Sequence, residues 1–94
     1  MVTGEPFQIG EWTVLPELNQ IQRADEARHL EPKVMDVLVY LARHPGQVLA
    51  KGRIMQAVWP DTFVGDEVLS RAVSELRKAL GDDVRSPAYI ETIP

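Results

Sequence analysis

Residues 66–80 read DEVLSRAVSELRKAL, and their apolar residues recur with the spacing of an amphipathic helix. At about 100° per residue, an apolar stripe that would face a core is formed by Leu69, Val73, Leu76 and Leu80. Polar side chains occupy the opposite side, namely Glu67, Arg71, Ser74, Glu75 and Lys78, with Ser70 and Arg77 together on one flank. We therefore predict a helix that is anchored on one side and exposed on the other.

The polar side of this helix has two interpretations. Arginine can donate two hydrogen bonds to guanine O6 and N7, glutamate can accept one from cytosine N4, and basic side chains can contact phosphates. Alternatively, Arg71 with Glu75 (i,i+4) and Glu75 with Lys78 (i,i+3) have the spacing of ion pairs that are common on surface helices. Taken alone, the helix predicts only a solvated face, and its neighbours in the sequence must decide between the two.

Two further helices are predicted before it. Pro32 suits the first turn of a helix, and residues 34–42 are almost entirely apolar, which is typical of a buried central helix. A second helix is predicted over residues 51–59, with a weak start because Ala50 offers no side-chain cap. Since residues 60–65 then form a short loop, the second and third helices make a helix-turn-helix with an unusually long turn.

Short strands are predicted on both sides of the helices. In the first 30 residues, turn residues separate four strand-like stretches of an antiparallel meander, at 7–9, 12–15, 19–22 and 28–30, with residues 24–27 as the last connection. Near the C-terminus, Tyr89–Ile93 alternate like a strand that could pair with a brief strand at Val48–Ala50. The predicted fold class is α+β, in one domain of residues 1–94.

Composition narrows the class of protein. The chain lacks cysteine, which excludes a disulfide scaffold and a thiolate metal site, and it has neither a signal-peptide pattern nor an apolar run of the ~20 residues that cross a bilayer. We therefore expect a cytoplasmic domain. The net charge is −4, yet residues 32–60 are basic at +3 while residues 1–31 and 61–94 are acidic. This distribution permits local binding to phosphate with little indiscriminate affinity for polyanions.

Several motifs carry a specific family resemblance. The segments "LEPK", "HPGQVL", "AVWPD" and "SELRKALGDD" follow one another within a region that closely resembles the winged-helix DNA-binding domain of the OmpR/PhoB type. The opening "FQIGEWTVLPELNQIQR" is similar in layout, and the ending "YIETIP" resembles the CadC-like and ToxR-like branch of transcription regulators. The resemblance implies a winged helix-turn-helix: a four-stranded antiparallel sheet, three helices and a C-terminal wing hairpin. It also implies sequence-specific binding of double-stranded DNA, with the third helix in the major groove and the wing toward the minor groove.

The same resemblance implies roles for individual positions. Major-groove positions match Arg71, Ser74, Glu75 and Lys78, and Lys78 among them is directed toward phosphate. Phosphate-contacting positions match Trp59, Ser70, Arg77 and Thr92. A loop that contacts RNA polymerase matches Asp61, Thr62, Phe63 and Val64. From the residues alone, Trp59 is a half-buried core indole, and Phe63 is a plug of the core, the interpretation favoured for it. Binding as a homodimer on direct or on inverted repeats of a half-site stays open, and neither a cofactor nor a metal is expected.

The chain departs from the family pattern in two places. It stops at Pro94, before the basic, glycine-containing turn of the wing, so we expect it to bind DNA less tightly than a chain that includes this turn. Glu75 stands where some relatives carry a base-reading arginine, and an acid there disfavours guanine. If Met1 is the native start, the domain is N-terminal, as in one-component regulators whose downstream sensor is often tethered through a membrane span.

Two other classes of function are weighed against DNA binding. An enzyme is not predicted, because His29 and His44 are far apart without a nucleophile constellation, and Asp82-Asp83 lacks the ligand spacing of a metal loop. A protein-binding or dimerisation module is the stronger alternative, because the N-terminal sheet is acidic and the last strand would have an unpaired edge. Duplex binding that weakens steeply with salt distinguishes a DNA-binding domain from such a module.

Overall fold

The computed structural model describes residues 5–81, which form four strands followed by three helices. The strands are β1 (Phe7–Ile9), β2 (Trp12–Leu15), β3 (Gln20–Arg23) and β4 (Glu26–His29), with a short 3-10 helix at Pro16–Leu18. The helices are α1 (Pro32–Ala42), α2 (Lys51–Val58) and α3 (Asp66–Leu80). The strands pair antiparallel in sequence order, so the predicted α+β class with an antiparallel meander is confirmed. The predicted wing strand Tyr89–Ile93 lies outside the described residues.

Two details of the sheet differ from the prediction. Asn19 was expected in a strand, but the 3-10 helix that begins at Pro16 ends at Asn19 in a left-handed conformation, which asparagine tolerates well. The connection predicted at residues 24–27 is also too long, because β4 already begins at Glu26. Arg23 and Glu26 pair directly across a two-residue turn, where their side chains form a 3.0 Å ion pair.

The core lies between the sheet and the helices, and α1 is its central helix. Val34, Met35, Val37, Leu38 and Val39 of α1 are all buried, which confirms the expectation from its nearly uninterrupted apolar sequence. The sheet contributes the buried residues Trp12, Val14 and Ile21. Lys33, in the first turn of α1, donates a 2.7 Å hydrogen bond from Nζ to the carbonyl oxygen of Val58 and so joins α1 to the C-terminal end of α2.

The strand predicted before α2 is not found among the described residues, and its predicted partner at residues 89–93 lies outside them. Residues 47–50 have no regular secondary structure, and Val48 is 78% exposed. The described sheet consists of β1 to β4, and none of these strands pairs with Val48–Ala50. As expected, α2 begins without a side-chain cap at Ala50. It buries Ile54 and Val58, and the half-buried Met55 and Trp59 pack against the same core.

Helix α3 spans residues 66–80, the predicted range. Its buried residues are Leu69, Ala72, Leu76 and Leu80, whereas Val73, predicted for the inner stripe, is half-buried and packs at the margin of the core. The small side chain of Ala72 therefore takes a core position that the sequence pattern gave to Val73. Gly81 ends the helix at a φ of 72°, a left-handed conformation that glycine adopts without strain. Within residues 5–81, no helix has the length and apolar character needed to span a membrane.

Candidate nucleic-acid interface

The outward side of α3 presents a continuous polar surface. Its exposed residues include Ser70, Arg71, Ser74, Glu75 and Lys78. The opposite side is fixed in the core, where Leu76 and Leu80 are almost completely buried. The structure therefore brings together the predicted groove-facing side chains on one rigid element, and Arg77 lies half-buried on its flank.

The charged groups on this surface are not neutralised by one another. Between described residues, ion pairs form only from Arg23 and Arg28 to Glu26, so the helical pairs that the spacing of Arg71, Glu75 and Lys78 allows are not made. Acidic residues occupy the first turn of α3 and basic residues the last turn, as the helix dipole favours. The surface is therefore most positive toward the C-terminal half of the helix.

Three carbonyl groups at the C-terminal end of α3 are held by the sheet. The indole Nε1 of Trp12 donates a hydrogen bond to the Leu80 oxygen at 3.1 Å. Nη1 of Arg28 donates to the oxygens of Ala79 at 2.6 Å and Lys78 at 3.2 Å. The Lys78 oxygen also accepts from the backbone N–H of Gly81 at 3.2 Å. Since the last carbonyls of a helix lack the usual partners within the helix, the bonds from the sheet satisfy the oxygens of Ala79 and Leu80 and add a second donor to that of Lys78. They also fix where the helix ends relative to β2 and β4.

Arg28 is itself held in place from two sides. Its Nη2 donates to Glu26 Oε2 at 2.6 Å, and its guanidinium carbon lies 5.4 Å from the centroid of the Trp12 ring. Arg23 stacks on the same ring at 4.3 Å and pairs with the same carboxylate at 3.0 Å. The hydrogen bonds from Arg28, and then those from Arg23, lower the pKa of the Glu26 carboxyl below its ordinary value of 4.5.

The arrangement around Arg28 was not predicted from the sequence, although one signal for it was present. The register aligns Val14, Ile21 and Arg28 across β2, β3 and β4, on the face of the sheet whose apolar members are buried. A charged residue at such an inward position needs a partner when it is buried. The carbonyl partners of Arg28 lie 50 and 51 residues away along the chain. Local sequence patterns do not reveal contacts at such a separation.

The loop between α2 and α3 differs from the prediction at Phe63. The favoured interpretation of Phe63 as a plug of the core is wrong, because the residue is fully exposed. Trp59, half-buried as expected from the residues, packs against the core near this loop. Trp59, Asp61, Thr62, Phe63 and Val64 line one open groove along the loop. Phe63 is therefore an apolar side chain exposed to solvent. Thr92, the phosphate contact predicted near the C-terminus, lies outside the described residues.

Most of the chain matches a known protein family. The family described as "Transcriptional regulatory protein, C terminal" matches residues 25–94. The transcriptional activator CadC of Escherichia coli (strain K12) is 43% identical over 88 residues, which cover 93% of this chain and 17% of CadC. The alkaline phosphatase synthesis transcriptional regulatory protein PhoP of Bacillus subtilis (strain 168) is 34% identical over 86 residues, covering 90% of this chain and 36% of PhoP. The chain thus spans less than half the length of these relatives.

Two solved structures share the fold. The DNA-binding domain of E. coli CadC matches with a TM-score of 0.85 at 40% identity, covering 98% of this chain and 88% of that domain. The RstA DNA-binding domain of Klebsiella pneumoniae, solved in complex with the RstA box, matches with a TM-score of 0.79 at 26% identity, covering 95% and 89%. Both likenesses extend over the sheet and the three helices described above.

Proposed function

Since the chain belongs to the family of transcriptional regulatory proteins that share this C-terminal domain, we propose that it binds double-stranded DNA sequence-specifically through α3 in the major groove. The named relatives are transcription regulators. The observation that carries the proposal is the outward surface of α3, on which Arg71, Ser74 and Glu75 are exposed while the inner side is packed into the core. An α-helix fits the major groove, where each base pair presents its own pattern of donors and acceptors.

Within this proposal, the polar residues of α3 have two kinds of task. Arg71 reads a guanine through its planar fork, and Ser74 and Glu75 contact neighbouring base edges. Lys78, with Ser70 and Arg77 on the flank and Trp59 at the end of α2, contacts phosphates and fixes the register on the duplex. Support comes from their common placement along the exposed side of α3 and the adjoining end of α2. Thr92 is proposed to contact phosphate, with the wing toward the minor groove.

The proposal is tested by selecting bound duplexes from a random pool and measuring the affinity of the recovered sequence. A DNA-binding domain yields a defined motif, and affinity for it falls steeply as salt rises. Recovery of two copies of the motif at a fixed spacing supports the further proposal that the protein binds repeated half-sites as a dimer. If no duplex is enriched and the protein self-associates instead, its function is that of a dimerisation module.

We expect Lys78→Ala to weaken binding to specific and unrelated duplexes alike. Because a phosphate contact releases counterions and reads no base, the salt slope should fall by about one unit without a change in the selected motif. Affinities measured at several salt concentrations give this slope. A changed motif at an unchanged slope would mean that Lys78 reads a base.

We propose that the loop Asp61–Val64 contacts RNA polymerase, and Phe63 supports this proposal because it is fully exposed and aromatic side chains are enriched in protein interfaces. Phe63→Ala is expected to leave DNA affinity unchanged and to abolish most of the regulator's effect on transcription in a reconstituted assay. Leu18→Ala is the control, because Leu18 is an exposed apolar residue outside this loop. Equal effects of both variants, or a loss of DNA affinity with Phe63→Ala, would contradict the assignment.

The organisation of the whole protein is a separate proposal. The chain corresponds to 17% of CadC, so we propose that it is the DNA-binding part of a longer regulator with a sensor tethered to a membrane. Fractionation of the complete gene product between membrane and soluble extracts tests the tether, and recovery only in the soluble extract would contradict it.

A further inference from the structure

We propose that Arg28 is a positioning residue for DNA recognition, which sets the placement of α3 without touching DNA. The inference deepens the proposed function and rests on it. Its basis is the bridge that Arg28 forms between Glu26 on β4 and the carbonyl oxygens of Lys78 and Ala79 at the end of α3. Lys78 thus offers its side chain to the outside while its backbone is held from within.

The geometry of the bridge requires a guanidinium group. Nη2 and Nε of Arg28 donate to Glu26 Oε2 at 2.6 and 3.2 Å, while Nη1 donates to both carbonyl oxygens. A planar fork with five donors can serve a carboxylate and the end of a helix at the same time. The carboxylate fixes the guanidinium, and the guanidinium fixes the helix. An ammonium group at this position has no second edge with which to do both.

The anchored end lies close to the groups proposed to read DNA. The carbonyls of residues 78, 79 and 80 are all bound by β2 or β4, and Arg71 and Ser74 lie one to two turns away on the same rigid helix. Specific binding needs several base contacts at once, whereas phosphate contacts tolerate small shifts. Release of the end of α3 therefore reduces discrimination between sequences more than it reduces general affinity for DNA.

Arg23 provides a matched control within the same cluster. It stacks on Trp12, pairs with Glu26 and carries the same charge as Arg28. It donates its hydrogen bond to Glu26, and within residues 5–81 it forms none with α3. Arg23→Met and Arg28→Met thus remove the same charge and the same kind of stacking, and only Arg28→Met releases the helix.

The experiment compares these two variants of the 94-residue chain by two measurements. In the absence of DNA, the amides of the last turn of α3 should exchange with solvent roughly tenfold faster in Arg28→Met than in Arg23→Met, as expected for loss of a charged hydrogen bond. With DNA, the ratio of specific to nonspecific affinity should fall roughly five- to tenfold in Arg28→Met and stay near the unmodified value in Arg23→Met. Nonspecific affinity should decrease equally in both.

Equal exchange rates in the two variants would overturn the inference, and so would equal loss of discrimination. Failure of the proposed function is recognised separately, since the unmodified chain would then prefer no duplex while its α3 amides still distinguished Arg28→Met from Arg23→Met. If the methionine variant of Arg28 does not fold, Arg28→Lys and Arg23→Lys allow the same comparison with the charge retained. If Arg28→Lys preserved both the exchange protection of α3 and the discrimination between duplexes, the requirement for a guanidinium group would also be contradicted.

Discussion

Replacing Trp12 by alanine should lower the free energy of unfolding by roughly 3–5 kcal/mol, the range for removing a large buried aromatic side chain. Trp12 is 0% exposed and lies beneath both Arg23 and Arg28. A domain of this size is stabilised by only about 5–15 kcal/mol in total, so the variant should lose a large fraction of its stability. The effect is large because the ring fills the core where the sheet meets α3.

Trp12→Phe separates the contribution of the apolar ring to stability from that of the Nε1 hydrogen bond to Leu80. Phenylalanine retains most of the apolar surface but leaves the Leu80 oxygen without its donor, which should lower the free energy of unfolding by about 1–3 kcal/mol. Urea unfolding followed by far-ultraviolet circular dichroism measures both variants without relying on tryptophan fluorescence. Trp59→Ala is the control, because Trp59 is only half-buried and should be less costly to remove. Equal losses for Trp12→Ala and Trp59→Ala would contradict the central role of Trp12.

The helices could be predicted from the sequence because local signals define them. Residues 66–80 combine a strong apolar period with acidic residues in the first turn and Gly81 after the last, so both ends of α3 were found correctly. The strands were less well defined. The run before Asn19 is interrupted by Pro16, and only the structure shows that a 3-10 helix, not a simple turn, follows the proline.

What the sequence could not supply was the set of contacts between distant residues. Arg28 reaches carbonyls at the end of α3, and Trp12 reaches Leu80 at a sequence separation of 68. These partners are backbone carbonyls, which every residue carries. The hydrogen bonds from Arg28 and Trp12 to the end of α3 could therefore not be predicted from the pattern of side chains. The prediction for Phe63 was wrong for a related reason, because hydrophobicity alone does not tell whether a loop residue faces the core or the solvent.

Arg71→Ala should weaken binding to the selected duplex by ~1–3 kcal/mol, the usual contribution of one bidentate contact between arginine and a base. Arg71 is exposed at the middle of the outward surface and forms no ion pair with a described residue, so its loss should leave the fold intact. Unfolding experiments check that stability is unchanged. Binding to a duplex mutated at a single base pair identifies the position read, because the variant should no longer distinguish the two bases there.

Arg71→Lys is the sharper comparison because it retains the positive charge and removes the planar fork. If Arg71 reads guanine, the lysine variant should keep the salt slope of the unmodified protein but lose most of the discrimination at one base pair. If Arg71 serves only as a phosphate contact, lysine should restore binding to every duplex and alanine should reduce the slope by about one unit. Because the backbone of α3 is held identically in both variants, such a restoration would assign base reading to Ser74 and Glu75 instead, and with it a different sequence preference.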